Sequence, residues 1–202
     1  YQTAYLKAHY PAAFCAANLS AVMNDTDKVQ VIFDDARANG LEVLPPDVNE
    51  GGYRFAPLDT KRIRYGLGAV KGTGEQAIEN IVAAREAGGP FRDLGDFCRR
   101  VDRRVVNRRA MEALVKAGAF DALEPNRASL AASLGAAIEL AEKAERFAQQ
   151  TSLFGGAEEA TAEAFELMRV PDWPERERLL AEKQSLGFYL SGHPFSEWKD
   201  EI

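Results

Sequence analysis

This 202-residue sequence predicts a mostly helical fold with one small β-hairpin. Three observations carry that expectation. Apolar residues recur at helical spacing through most of the chain, short strand-like runs fall only within residues 41–65, and glycine or proline punctuates the junctions between periodic stretches. A hydrophobic fraction of 46% is ordinary for a soluble chain and suffices for one or two small domains with real cores. No apolar run approaches the roughly 18 residues needed to cross a bilayer.

Residues 1–23 read as two helices, with Pro11 suited to the first turn of the second. Thr26 or Asp27 can cap a third helix over 28–39, which Gly40 stops. LEVLPPDVN gives a short strand and a proline-stiffened loop, and the runs at 53–56 and 63–65 form the hairpin. The segment 66–70 is short and apolar. Glu75 then opens an amphipathic helix with Ala77, Ile78, Ile81 and Val82 on its apolar side. Gly88-Gly89-Pro90 breaks that helix, Asp93 caps another within 91–101, and Asn107 caps a further one over 108–117. A long alanine-rich helix covers 126–149, with Leu130, Leu134, Ile138 and Leu140 on or near one face. The stretch 155–166 is acidic, small and weakly patterned, so it reads as linker.

The chemistry concentrates in the turn Lys71, Gly72, Thr73, Gly74. Its glycines permit backbone angles that a Cβ resists, the following helix start offers unpaired N–H groups, and Lys71 adds a point charge, which together suit one phosphate oxygen. This pattern resembles the helix-hairpin-helix, a sequence-independent binder of the nucleic-acid backbone. A second helix pair follows, but its turn, DRRVVN, lacks glycines. There Arg103, Arg104, Arg108 and Arg109 replace backbone contacts with planar guanidinium forks suited to phosphate. Charge agrees with a localised face. The net charge is −6, yet residues 61–109 hold 12 Lys and Arg against 6 Asp and Glu, while the remainder holds 13 against 25.

No enzymatic constellation assembles. His9 sits among aromatic residues and His193 in a turn-like SGHPF. Asp34-Asp35 and Asp200-Glu201 are adjacent pairs without partner carboxylates, so no catalytic or metal-binding residue is expected in this chain. Cys15 and Cys98 stand far apart without ligand spacing and read as reduced, packed thiols of a cytoplasmic protein.

After the long helix, Gln150, Thr151, Ser152, Leu153 and Phe154 form a Q-x-x-L-F pattern. It resembles the peptide by which bacterial polymerases hold their ring-shaped sliding clamp: a glutamine amide meets backbone groups while Leu and Phe fill an apolar pocket. Several longer stretches carry a wider resemblance: YQTAYLKAHYPAAFCAANLS, IRYGLGAVKGTGEQAIENI, GGPFRDLGDFCRRVDRRVVNRRAMEALVKAGAFDAL, QTSLF and EKQSLGFYLSGHPF. In this order they resemble the alpha subunits of bacterial replicative, C-family DNA polymerases.

That resemblance implies a domain plan. Residues 1–60 would end the fingers domain, 61–123 would form a tandem helix-hairpin-helix domain, and 124–149 the long helix. Residues 150–154 would be the clamp peptide, 155–170 a linker, and 171–202 a helical lead-in to an oligonucleotide-binding domain. Because the chain opens at Tyr1 as if in mid-helix, the expectation is a piece of a longer protein. The metal-binding aspartates of the palm would then precede Tyr1. The piece would bind no cofactor and be inactive alone, while the parent polymerase uses Mg²⁺. The partners implied are double-stranded DNA, the sliding clamp and other replicase subunits, with no membrane. Three alternatives remain: an error-prone alpha-subunit paralogue, an autonomous duplex-binding module of a nuclease, ligase or junction protein, and a helical protein-interaction scaffold.

Overall fold

The computed structural model describes residues 1–154 and 165–192, and of 151–154 only the backbone. Eight α-helices and a three-stranded sheet form among these residues. The first two, α1 (Gln2–His9) and α2 (Pro11–Ala21), meet at Tyr10, and Pro11 opens α2 because its missing N–H would have had no intrahelical partner there. The third, α3 (Thr26–Ala38), begins earlier than its sequence pattern suggests. Asp25, rather than Thr26 or Asp27, caps it by accepting the Lys28 N–H at 3.3 Å. Gly40, at φ +75°, turns the chain out of it.

The expected hairpin is present as β2 (Ala56–Pro57) antiparallel to β3 (Arg62–Arg64). The LEV segment, β1 (Glu42–Leu44), joins the other edge of β3 in parallel, with Val43 opposite Ile63. The sheet order is therefore β1-β3-β2, and Ile63 on its central strand is fully buried.

Helix α4 (Glu75–Gly88) follows the glycine turn, and α5 (Leu94–Arg100) is capped by Asp93, which takes the Asp96 N–H at 2.7 Å. Phe91 stays outside α5, because its N–H and C=O are both held by the Asn49 amide at 2.7 and 2.9 Å. Asn107 caps α6 (Arg108–Lys116) through the Ala110 N–H. Phe91, Phe97 and Phe120 stack edge to face with centroids 5.0 and 4.9 Å apart, and they anchor the core shared by these helices.

Helix α7 (Arg127–Phe154) continues five residues past the expected end at 149. Ala148, Gln149 and Gln150 are good helix formers, and no breaker precedes Gly155. From Lys143 to Gln150 every side chain is exposed, so this half of the helix stands clear of the core. Residues 165–170 lie within the stretch expected to be linker, yet they are strapped along α7. The Met168 N–H reaches Ser133 Oγ at 2.8 Å, the Val170 N–H reaches Ser129 Oγ at 3.0 Å, and the Val170 carbonyl accepts from Asn126 at 2.7 Å.

The last helix, α8 (Glu175–Leu186), packs on α6 and ends at Gly187, φ +93°. A buried charge cluster fixes it there. Arg127 is held by Asp121 at 2.6 Å and by Glu182 at 3.1 Å, and Glu182 also accepts from Leu190 N, Ser191 N and Ser191 Oγ. Burial pushes the Asp121 carboxyl up from its ordinary value against the pull of Arg127.

Candidate nucleic-acid interface

The first turn is built from residues whose side chains serve the backbone. The apolar segment before it is a single 3-10 turn, Leu67–Ala69. Thr73 Oγ1 donates into the Leu67 and Val70 carbonyls at 2.9 and 2.7 Å, so its hydroxyl locks the turn and is spent there. The Lys71 N–H is taken by the Ser185 carbonyl of α8 at 2.7 Å. Gly72 requires its missing Cβ, because it sits at φ +89°. Gly74 does not: its φ is −93°, and a Cβ there would meet nothing within 4 Å. Among the described residues no acceptor takes the N–H groups of Gly72, Gly74, Glu75 or Gln76. Four donors thus face outward beside an exposed lysine at the positive end of α4.

The second turn is tied to the first pair, since the Asp102 N–H donates to Asn80 of α4 at 2.9 Å. Its arginines differ sharply in what they are free to do. Arg103 is only 15% exposed; it donates to the Cys98 carbonyl at 2.9 Å and to Glu145 of α7 at 2.5 Å. Arg104 is 89% exposed and rests on Asp102, and Arg108 rests on Glu112. The Arg104 guanidinium holds the Asp102 carboxyl below its ordinary value, helped by the Arg104 N–H. Such exposed pairs are worth about 0–1 kcal/mol, so a phosphate can displace them. Arg109 is exposed and has no carboxylate partner among the described residues.

Two arginines of the basic stretch are structural. Arg100 donates to Ala84 and Gly89 carbonyls at 2.6 Å, pairs with Asp96 at 3.0 Å and lies over the Phe91 ring. Arg85 closes on the Val48 and Gly51 carbonyls. The local excess of positive charge in the sequence therefore overstates the charge available to a ligand.

Five of the eight predicted residues line two separate clefts, and Thr73, Gly74 and Arg108 line neither of them. Lys71, Gly72 and Arg109 line one of about 390 Å³, together with Lys116, Gln184 and Ser185. Arg103 and Arg104 line another of about 780 Å³, between the second turn and Glu142 and Glu145 of α7. Lys116 was missed from sequence, although it lies seven residues after Arg109 on the same side of α6. Gln184 carried no local signal.

Gln150 is exposed on α7, and the backbone of 151–154 is helical where an extended peptide was expected. The side chains of Thr151, Ser152, Leu153 and Phe154 lie outside the described residues, as do His193 and the pair Asp200-Glu201. His9 stacks on Tyr5 at 4.2 Å, and Asp35 pairs with Lys7. Burial pushes the thiols of Cys15 and Cys98 up to about 11 and about 12, which keeps both protonated and unreactive at neutral pH. Among the described residues no group of three His, Cys, Asp or Glu stands close enough to hold a metal ion, so they do not fit a polymerase Mg²⁺ pair.

The 3-10 turn with α4, and then α5 with α6, form two successive hairpins, and the helix-hairpin-helix motif matches residues 40–130. The likeness extends to the entire chain. DNA polymerase III subunit alpha is 52% identical to it in Neisseria meningitidis serogroup B, 47% in Vibrio cholerae and 46% in Escherichia coli K12. Each alignment covers 100% of this chain and 18% of the relative. The chain thus matches a fragment of the alpha subunit of DNA polymerase III, and spans less than a fifth of the length of those relatives.

Proposed function

We propose that this chain holds the sugar-phosphate backbone of duplex DNA, without reading bases, inside a bacterial replicative polymerase. The observation that carries the reading is Gly74 with its neighbours. A glycine with no internal need to be one, whose own N–H and those of Gly72, Glu75 and Gln76 are unclaimed among the described residues, suits the close approach of an external anion. Phosphate contacts position a protein on DNA and carry no sequence information, which fits a turn that offers only backbone donors and cations.

Templated nucleotidyl transfer, with Mg²⁺, belongs to the longer polymerase. Its metal carboxylates would come from outside this chain, and the chain alone would not extend a primer. The exposed end of α7 would carry residues 150–154 to the sliding clamp, linking the DNA-holding face to the ring. The setting would be cytoplasmic; among the described residues no helix is long and apolar enough to cross a membrane. The Arg103–Glu145 pair is what a helical interaction scaffold would also show. The side chains of Lys71 and Arg109, which have no carboxylate partner among the described residues, favour DNA.

The test is Gly74→Asn. Asparagine is at least as good a helix N-cap as glycine and fits φ −93°, so the thermal midpoint should hold or rise slightly. Its side chain occupies the approach space, so affinity for two unrelated duplexes at low salt should fall by about tenfold, or ~1.4 kcal/mol. Unchanged affinity with unchanged stability would refute the backbone-approach reading.

A further inference from the structure

The cations of the two hairpins and their flanks sort by partner. Arg62, Arg64, Arg103, Arg104 and Arg108 each have a carboxylate, and Arg92 and Arg100 share Asp96. Among the described residues Arg54, Lys61, Lys71, Arg85, Arg99, Arg109 and Lys116 have none; Arg85 is spent on backbone carbonyls and Arg99 lines the other cleft, while Lys71, Arg109 and Lys116 line the same 390 Å³ cleft. Its one carboxylate, Glu112, is already held by Arg108 Nε at 2.9 Å. Three like charges lining one cleft, whose carboxylate is already paired with Arg108, repel one another, and an anion placed between them relieves that repulsion.

The cleft is also fixed in shape. Lys71 N is bonded to the Ser185 carbonyl, and Ser185 Oγ is satisfied within α8 by Ala181 and Glu182. The Lys116 carbonyl accepts from the buried Arg127, which anchors the end of α6, and Lys116 Nζ lies 3.5 Å from Gln184 Oε1. Gln184 therefore orients the lysine and leaves its own amide N–H groups for a ligand. At ~30 Å³ per water, the volume equals about a dozen waters, room for a phosphodiester with part of its sugar.

We infer that Lys116 and Gln184 complete, with Lys71, Gly72 and Arg109, one cleft that takes a single backbone phosphate of duplex DNA between the two hairpins. The inference rests on the duplex-backbone reading above and adds two residues and helix α8 to it. It makes the glycine turn and α6 the two jaws of one phosphate site, and it leaves the Arg103 and Arg104 cleft as a separate surface.

The experiment titrates a labelled duplex into the 202-residue chain across a salt series, for wild type, Lys116→Ala, Lys116→Arg, Gln184→Ala and Lys28→Ala. Lys28 pairs with Asp25 on α3 and serves as the charge control. Losing one phosphate contact lowers the salt slope by about one, so Lys116→Ala should show that drop and several-fold weaker binding. Lys116→Arg should restore the slope, Gln184→Ala should weaken binding with the slope kept, and Lys28→Ala should match wild type. Thermal midpoints should stay together, since the bond to Arg127 uses the Lys116 backbone. Wild-type binding with an unaltered slope in Lys116→Ala overturns this inference and leaves the duplex reading standing. No wild-type binding at low salt overturns both. Amide shifts at Gly72 and Gln184 with inorganic phosphate, but no duplex binding, would mark a free-anion cleft and overturn the nucleic-acid assignment.

Discussion

The position of α8 against the hairpins depends on Glu182, and removing that side chain gives a measurable prediction. Glu182 is fully buried and accepts four hydrogen bonds: Arg127 Nη1 at 3.1 Å, Leu190 N at 3.2 Å, Ser191 N at 3.0 Å and Ser191 Oγ at 2.8 Å. Glu182→Ala leaves the buried Leu190 N–H without an acceptor, costing about 1–3 kcal/mol, while the exposed Ser191 N–H can turn to water. It also removes one of the two carboxylates that balance a buried guanidinium, although Asp121 still holds Arg127 at 2.6 Å. The total falls at about 3–5 kcal/mol, the range for breaking a buried ion pair from one side. For a chain of this size that lowers the thermal midpoint on the order of 10 °C. Glu182→Gln keeps an acceptor oxygen and loses the charge, so it should fall between wild type and alanine. Because Ser185 of the same helix holds the Lys71 N–H, amide exchange at Lys71 should quicken in Glu182→Ala. Urea and thermal unfolding with hydrogen exchange read all three effects. A loss below about 1 kcal/mol, or a glutamine variant as unstable as alanine, would refute the reasoning.

Two further outcomes are expected. Burial pushes the Asp96 carboxyl up, but the Arg92 N–H and the Arg100 guanidinium outweigh it and hold its pKa below the ordinary value. The stability it contributes is present above the unfolded value of about 3.9 and is lost as pH falls through the folded one. The thermal midpoint should therefore drop more steeply below about pH 4 in wild type than in Asp96→Asn. At the end of α7, Phe154→Ala should abolish binding to purified sliding clamp, which calorimetry would place near micromolar, about −8 kcal/mol. Its midpoint should stay near wild type; a fall of several degrees with clamp binding retained would assign Phe154 to the core.

What the sequence made legible was local. Pro11, Asp93, Asn107 and Gly40 mark helix ends through chemistry within a few residues, and each marks an end in the structure. The glycine turn at 71–74 was legible for the same reason. Other features trace to distant partners. Phe91 is kept out of α5 by Asn49, 42 residues away, and β1 finds its parallel partner β3 beyond the intervening strand β2. Charge behaves alike. Arg100, Arg103 and Arg109 look equivalent in a run of six arginines, yet their roles diverge through groups the run does not contain. Arg100 welds α4 to α5, Arg103 is held by Glu145, and Arg109 is left over. An arginine's availability to DNA is thus a property of the fold opposite it. For that reason the half of the candidate site made of backbone donors was readable from residues 71–76. The half made of side chains required α7 and α8, whose carboxylates and amides decide which cations remain to meet a phosphate.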